Sequence, residues 1–227
     1  MENVLELKDV WKVYDLGKIK LEVLKGVSFY IKKKDFVVVL GPSGSGKSTL
    51  LNMMSCLDVP TKGQVFLDGK DVSSFSEDEL AIVRGKKIGF VFQQFNLLPH
   101  LTAIQNVVLP TIFRGTSFQE KTEKAKEILS SVGLLDRLNH KPSELSGGEK
   151  QRIAISRALI NDPEIIVADE PTGNIDSKTG AHIMELLENL NKNEGKTVVV
   201  VTHDTELEKF SNKIIRIRDG EIENSKQ

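Results

Sequence analysis

The nine residues Gly41-Pro42-Ser43-Gly44-Ser45-Gly46-Lys47-Ser48-Thr49 fit the spacing G-x-x-x-x-G-K-[ST]. In that pattern the glycines let backbone N–H groups approach phosphate oxygens closely. The lysine reaches β- and γ-phosphates, and the hydroxyl after it ligates Mg²⁺. A plain glycine-rich turn has no need of a cation and a hydroxyl at adjacent positions 47 and 48. Asp169 and Glu170 form the second candidate group, two carboxylates delivered at the end of the apolar run Ile165 to Ala168. An acidic residue in that place holds Mg²⁺ in phosphate-loop ATPases, which makes Asp169 the metal-side candidate and Glu170 the group that polarises an attacking water. Successive strand side chains point to opposite faces, so the pair divides these tasks unless a bend reorients one of them. The competing reading makes both residues solvated parts of a loop.

Leu145-Ser146-Gly147-Gly148-Glu149 supports two compatible readings. Ser146 and Glu149 have the spacing of a capping box for a helix from Lys150 to Ile160. A helix start with two glycines also presents free N–H groups and a positive dipole end to an anion. One nucleotide offers a single γ-phosphate, already served by Lys47, so a second phosphate grip implies that two copies of the chain share each nucleotide. His203 follows the run Val198 to Thr202, at the C-terminal end of a parallel strand, where ligands of α/β sheets gather. His100, His140 and His182 lack such a setting and read as structural.

These groups need a scaffold, and the flanking sequence predicts one. Phe36 to Leu40 is a short, continuous apolar run, the pattern of a strand buried on both faces of a parallel sheet. Leu50, Leu51, Met53, Met54 and Leu57 recur at helical spacing, with Pro60 the latest possible end of that helix. Val4 to Val10, Val23 to Ile31 and Gly63 to Gly69 predict strands of an antiparallel layer, with a polar loop from Asp15 to Lys20. Ser76 to Glu79 caps a short helix through about Arg84, and Ile88 to Phe92 is a further buried strand. From Phe95 to Asn161 the texture is helical, with capping boxes at Thr102 and Ser117 and an apolar stripe of Ala125, Ile128, Leu129 and Val132 ending at Gly133. Strand and helix then alternate: Glu164 to Ala168, Ser177 to Leu190, Thr197 to Thr202 and Lys213 to Arg218. The polar tail from Glu221 reads as frayed.

The 227 residues contain 31 basic and 32 acidic side chains, a balance that gives no reason to expect nucleic acid as a partner. Cys56, the single cysteine, is placed on the helix after the phosphate loop as a small buried hydrophobe, in keeping with a reducing compartment. The N-terminus lacks the basic and apolar regions of a signal peptide, and no apolar run is long enough to span a bilayer. A cytoplasmic location is expected.

The motifs, taken in order, resemble those of ABC-type ATPases, the nucleotide-binding subunits of ABC transporters. The resemblance rests on the P-loop Gly41 to Thr49, Gln93 after a strand, Leu145 to Glu149 followed by Lys150-Gln151-Arg152, Asp169-Glu170, Asn174-Ile175-Asp176, and His203. Cys56 to Thr61, Gly89 to Pro99 and Ala168 to Asn174 are similar to one branch, that of macrolide-export, lipoprotein-releasing and cell-division ATPases. The resemblance implies an α/β fold: a P-loop NTPase (RecA-like) core with an antiparallel β subdomain and an inserted α-helical subdomain. Within a single domain of 1–227, the core and β layer take 1–94 and 162–227, and the helical subdomain takes 95–161. It further implies a head-to-tail dimer enclosing two ATP molecules with Mg²⁺. Tyr14 would stack on adenine and Ser43 to Thr49 hold the phosphates, while Ser48, Gln93 and Asp169 would hold the metal. Ser146, Gly147 and Gly148 would grip the γ-phosphate bound to the opposite copy. Glu170 would be the general base, His203 would contact the γ-phosphate, and Asp176 would couple the two sites. Glu149 departs from the usual Gln; it can accept a hydrogen bond from a ribose hydroxyl but has no donor when ionised.

The implied partners are a second copy and an integral membrane permease, with Phe95, Leu97, Leu98 and Pro99 forming a groove for a permease helix. The protein would then lie on the inner face of the cell membrane. The alternative within the branch is a mechanical regulator of the cell-division type that moves no substrate. A soluble ATPase acting on DNA or ribosomes fits less well, because such proteins carry coiled-coil insertions or tandem modules, which are missing here.

Overall fold

The computed structural model describes residues 2–17, 19–112 and 117–223. Ten strands and six α-helices occur among them, arranged as two sheets with helices between and around them. The antiparallel sheet has the order β2-β1-β4-β5, from β1 (Asn3–Asp15), β2 (Lys20–Lys32), β4 (Lys62–Leu67) and β5 (Lys70–Asp71). The larger sheet has the order β10-β9-β3-β8-β7-β6. In it β3 (Phe36–Leu40), β6 (Ile88–Val91), β7 (Ile165–Asp169), β8 (Thr197–Thr202) and β9 (Lys213–Arg218) are parallel. All five residues of β3 and all six of β8 are buried, as continuous apolar runs require when helices cover both faces of a sheet.

Alternation along these strands sorts the core into layers. Val37, Val39, Val167, Val199 and Val201 face a cluster shared with the antiparallel sheet and with α1 (Lys47–Met54), through Leu5, Leu7, Leu50 and Met53. Val38, Ile166, Val198 and Val200 face the other way, against Ile155 of α5 (Gly147–Leu159) and Ile183 and Leu187 of α6 (Ser177–Lys192). A third cluster joins Val107 of α3 (Ala103–Val108), Leu129 of α4 (Phe118–Ser131) and Ile153 of α5. The boxes expected at Ser76, Thr102, Ser117 and Ser146 all form, each hydroxyl accepting from the N–H three residues on.

Several boundaries differ from the sequence expectation. β1 continues through Trp11 to Asp15 across a register shift near Asp9, whose φ is 48°. α2 (Glu77–Lys87) extends one turn past Arg84, with Arg84, Lys86 and Lys87 at the C-terminal end of its dipole. Cys56 lies beyond α1 rather than on it, with φ 54°. Its burial does hold, and that burial pushes its thiol up to about 11 against a weaker opposing effect of Arg84. Glu221–Glu223, expected to fray, instead forms β10, antiparallel to β9. The turn between them is Asp219-Gly220 with φ values of 51° and 84°, the positive pair demanded by a two-residue hairpin turn. Residues 224–227 of that tail lie outside the described residues.

Candidate nucleotide site

Four neighbouring parallel strands end on one side of the sheet, and each passes directly into a piece of the candidate site. The loop after β3 reaches α1 through Gly46, whose φ of 101° is open to glycine at little cost. Lys47, the first residue of α1, donates through Nζ to the carbonyls of Gly41 at 2.7 Å and Pro42 at 2.8 Å. The loop is thereby shaped by its own cation. Ser43, Gly44 and Gly46 to Thr49 line a cavity of about 550 Å³ together with Gln93, Asp169, Glu170 and His203. Residues separated by more than 150 positions in the chain meet there because their strands are adjacent. Gln93 follows β6, and its carbonyl accepts a bond of 2.8 Å from the Asn174 amide.

Asp169 is the last residue of β7 and is half-buried. Burial raises its carboxyl above the usual range, the neighbouring Glu170 raises it further, and Lys47 opposes both. Its neutralisation by a cation is therefore favoured. Ser48, Gln93 and Asp169 offer a hydroxyl, an amide oxygen and a carboxylate to the same cavity, an all-oxygen set that suits Mg²⁺.

Glu170 lies one residue past β7 with φ 43°, so the strand alternation stops there and both carboxylates line the same cavity. Its backbone N–H donates to the Val201 carbonyl at 2.8 Å. Its Oε2 accepts from the Thr202 hydroxyl at 2.8 Å. Its Oε1 accepts from the His203 N–H at 3.1 Å and lies 2.6 Å from His203 Nδ1. His203 thus contacts the carboxylate directly, with its ring largely exposed toward the cavity mouth.

Other candidates lie outside the cavity lining. Ser146 caps α5; its hydroxyl accepts from the Glu149 N–H at 3.3 Å, and Glu149 Oε2 accepts from the Ser146 N–H at 2.8 Å. Glu149 Oε1 accepts from Arg137 Nε at 3.0 Å. These bonds hold the Glu149 carboxyl below its ordinary value, the Ser146 N–H contributing most. Gly147 packs near Ile175, and Gly148 sits so close to Thr179 that an added Cβ would meet Thr179 Cγ2 at 2.3 Å. Asp176 caps α6, accepting from the Thr179 N–H and hydroxyl at 3.0 and 2.6 Å, which lowers its carboxyl, chiefly through the hydroxyl bond. Tyr14, on β1, donates to Asp58 at 3.4 Å and carries the Lys12 ammonium 5.2 Å from its ring centre. Of the other histidines, His100 and His182 are exposed, His140 is half-buried, and none lines the cavity.

The structure adds residues that sequence reasoning missed. Leu21 and Val23 of β2 line the cavity. Arg157 of α5 donates to the carbonyls of Phe95 and Asn96 at 2.7 and 2.5 Å, bracing two consecutive residues with positive φ just after Gln93. Asn174 stood in a quoted motif without a role, while Thr202 and Arg157 carried no signal in the sequence.

The family model for ABC transporters matches residues 24–173. An ABC transporter ATP-binding protein of Thermotoga maritima is 56% identical over 223 residues, 98% of this chain and 95% of the relative. The macrolide export ATP-binding/permease protein MacB of Bdellovibrio bacteriovorus is 51% identical over 224 residues, 99% of this chain but only 34% of that longer relative. The fold superimposes with a TM-score of 0.91 on the dimeric post-hydrolysis state of the ATP-binding cassette MJ0796 bound to ADP and Pi, at 51% identity and 98% coverage of both chains. A protein of the same designation is known from Methanocaldococcus jannaschii. With a phosphate loop, two carboxylates and a histidine gathered on adjacent strand ends, and with relatives matching along nearly its whole length, this chain belongs to the ABC transporter family as an ATP-hydrolysing, ATP-binding subunit.

Proposed function

We propose that this ATPase works as a head-to-tail pair of identical chains that closes on two ATP molecules and drives a separate membrane permease of the macrolide- or lipoprotein-export type. One observation carries this reading. The cavity gathers the P-loop, Gln93, Asp169, Glu170 and His203, whereas Ser146, Gly147 and Gly148 lie outside it on α5. A second copy can supply them across an interface, as the dimeric form of the MJ0796 cassette makes reasonable. The export assignment draws on the MacB relatives, in which an ATP-binding part and a permease share one chain. No helix among the described residues is long and apolar enough to cross a membrane. In this reading the permease is a separate chain that holds this one at the inner face of the membrane.

In the proposed mechanism Lys47 exchanges its bonds to Gly41 and Pro42 for phosphate oxygens, and the N–H groups of Ser43 to Thr49 hold the phosphate chain. Tyr14 stacks on adenine. Ser48, Gln93 and Asp169 would hold Mg²⁺, which when bound neutralises charge on the phosphates. Glu170 takes a proton from water as the water oxygen bonds to the γ-phosphorus and the bond to the bridging oxygen of ADP breaks. His203 contacts the γ-phosphate. The partner's copies of Ser146, Gly147 and Gly148 grip it from the other side, Glu149 accepts from ribose, and Asp176 couples the two sites. Residues 95–161 would act as the helical subdomain that carries this grip to the interface.

Substituting Glu170→Gln keeps the shape and removes the base. The expected outcome is retained ATP binding, an ATP-dependent dimer visible by light scattering, and turnover at least about a hundredfold lower, the scale of a lost general base. Steady-state hydrolysis at the parental rate would overturn the assignment.

A further inference from the structure

Glu170 is oriented by a strand other than its own. Its backbone N–H and both carboxylate oxygens are held by the consecutive residues Val201, Thr202 and His203 at the end of β8. Of the two side chains in this cradle, His203 is 70% exposed, while Thr202 is fully buried. The Thr202 hydroxyl has a defined direction. It accepts the Asp204 N–H at 3.1 Å, so its single hydrogen is left for Glu170 Oε2 at 2.8 Å. The β-branched side chain in a buried strand also has few alternative rotamers.

We propose that Thr202 is a positioning residue for ATP hydrolysis, fixing the Glu170 carboxylate through a hydroxyl that the Asp204 N–H holds in register. Its donation anchors Oε2, so that Oε1, beside His203 at the cavity, is presented to the attacking water in one orientation. A base held at one angle loses no time in unproductive rotamers, and that angle governs proton transfer more than it governs nucleotide affinity. The assignment rests on Glu170 acting as the base.

The test is steady-state hydrolysis of Mg-ATP by the purified chain. Thr202→Val retains the shape and deletes the donor; kcat is expected to fall about tenfold to a hundredfold, in proportion to a lost hydrogen bond to a charged group, with KM within about twofold. Thr202→Ser restores the hydroxyl and is expected to recover most of kcat. Should Thr202→Val fold poorly by thermal unfolding, Thr202→Cys is compared with Thr202→Ser, since these differ by one atom and cysteine is the weaker donor. A parental kcat in Thr202→Val, equal losses in the Val and Ser variants, or a change confined to KM would each overturn the proposal. Glu170→Gln measured in parallel separates the two claims. A slow Glu170→Gln beside a fast Thr202→Val removes the role of Thr202 alone, whereas a fast Glu170→Gln removes the reading of Glu170 itself.

Discussion

Lys47 and Asp169 are coupled through space: the ammonium is the one group that works against the burial and the Glu170 charge raising the Asp169 carboxyl. Replacing Lys47 with alanine removes two loop bonds and this compensation together, and also the cation for the phosphates. Affinity for Mg-ATP in a calorimetric titration is expected to drop at least about tenfold, the scale of a charge-assisted hydrogen bond; unchanged affinity would contradict the phosphate-loop reading. At this scale the sequence was most informative where chemistry depends on residue type and local spacing. Positions 41 to 49 and 169 to 170 could be read because few structures need those types side by side. Thr202 could not, because nothing local distinguishes it from Thr197 in the same strand, which caps the Lys34 N–H instead. The partner of a hydroxyl is chosen by whatever the fold brings next to it.

Among elements, the contact between α5 and α6 sets a sharper constraint than the capping boxes. Gly148→Ala, at the second position of α5, would gain less than the about 1 kcal/mol of helix propensity that a helix interior gives. It would also place a Cβ 2.3 Å from a methyl of Thr179, whose hydroxyl is tied to Asp176. Overpacking of that kind costs about 1–3 kcal/mol, so net destabilisation is expected in urea unfolding. Adding Thr179→Ser removes the methyl, keeps the bond to Asp176, and should restore stability; no recovery in the double variant would show that the clash is not the cause. Helix starts were legible because Ser or Thr with Glu or Gln three residues later is a local code. Helix and strand ends were less so. Glu221–Glu223 is polar enough to read as a tail, yet the Asp219-Gly220 turn returns it to β9, and the Gly220 carbonyl accepts from the Lys25 N–H of β2. That second sheet could not be located from the sequence of the tail.

For the whole molecule, the cluster of α3, α4 and α5 meets the rest of the core through α5, whose Ile153 faces it and whose Ile155 faces the other layer, and through Leu186, which packs against both. Leu129→Ala, at a fully buried position in that cluster, should cost about 2–5 kcal/mol. In native-state hydrogen exchange the loss is expected in the amides of α3 and α4 while β3 and β8 stay protected. Uniform loss through both sheets would show one cooperative core instead. The alternation of strand and helix revealed the α/β class from sequence, but strand order was hidden, because pairing joins segments as far apart as β3 and β8. That order governs when the site can exist. β8 inserts between β3 and β7, although it is made after both, from residues 197–202. A chain still emerging from the ribosome can thus display its phosphate loop and both acidic residues long before it has the strand that draws them together. The assembled cavity therefore waits on the synthesis of residues 197–202.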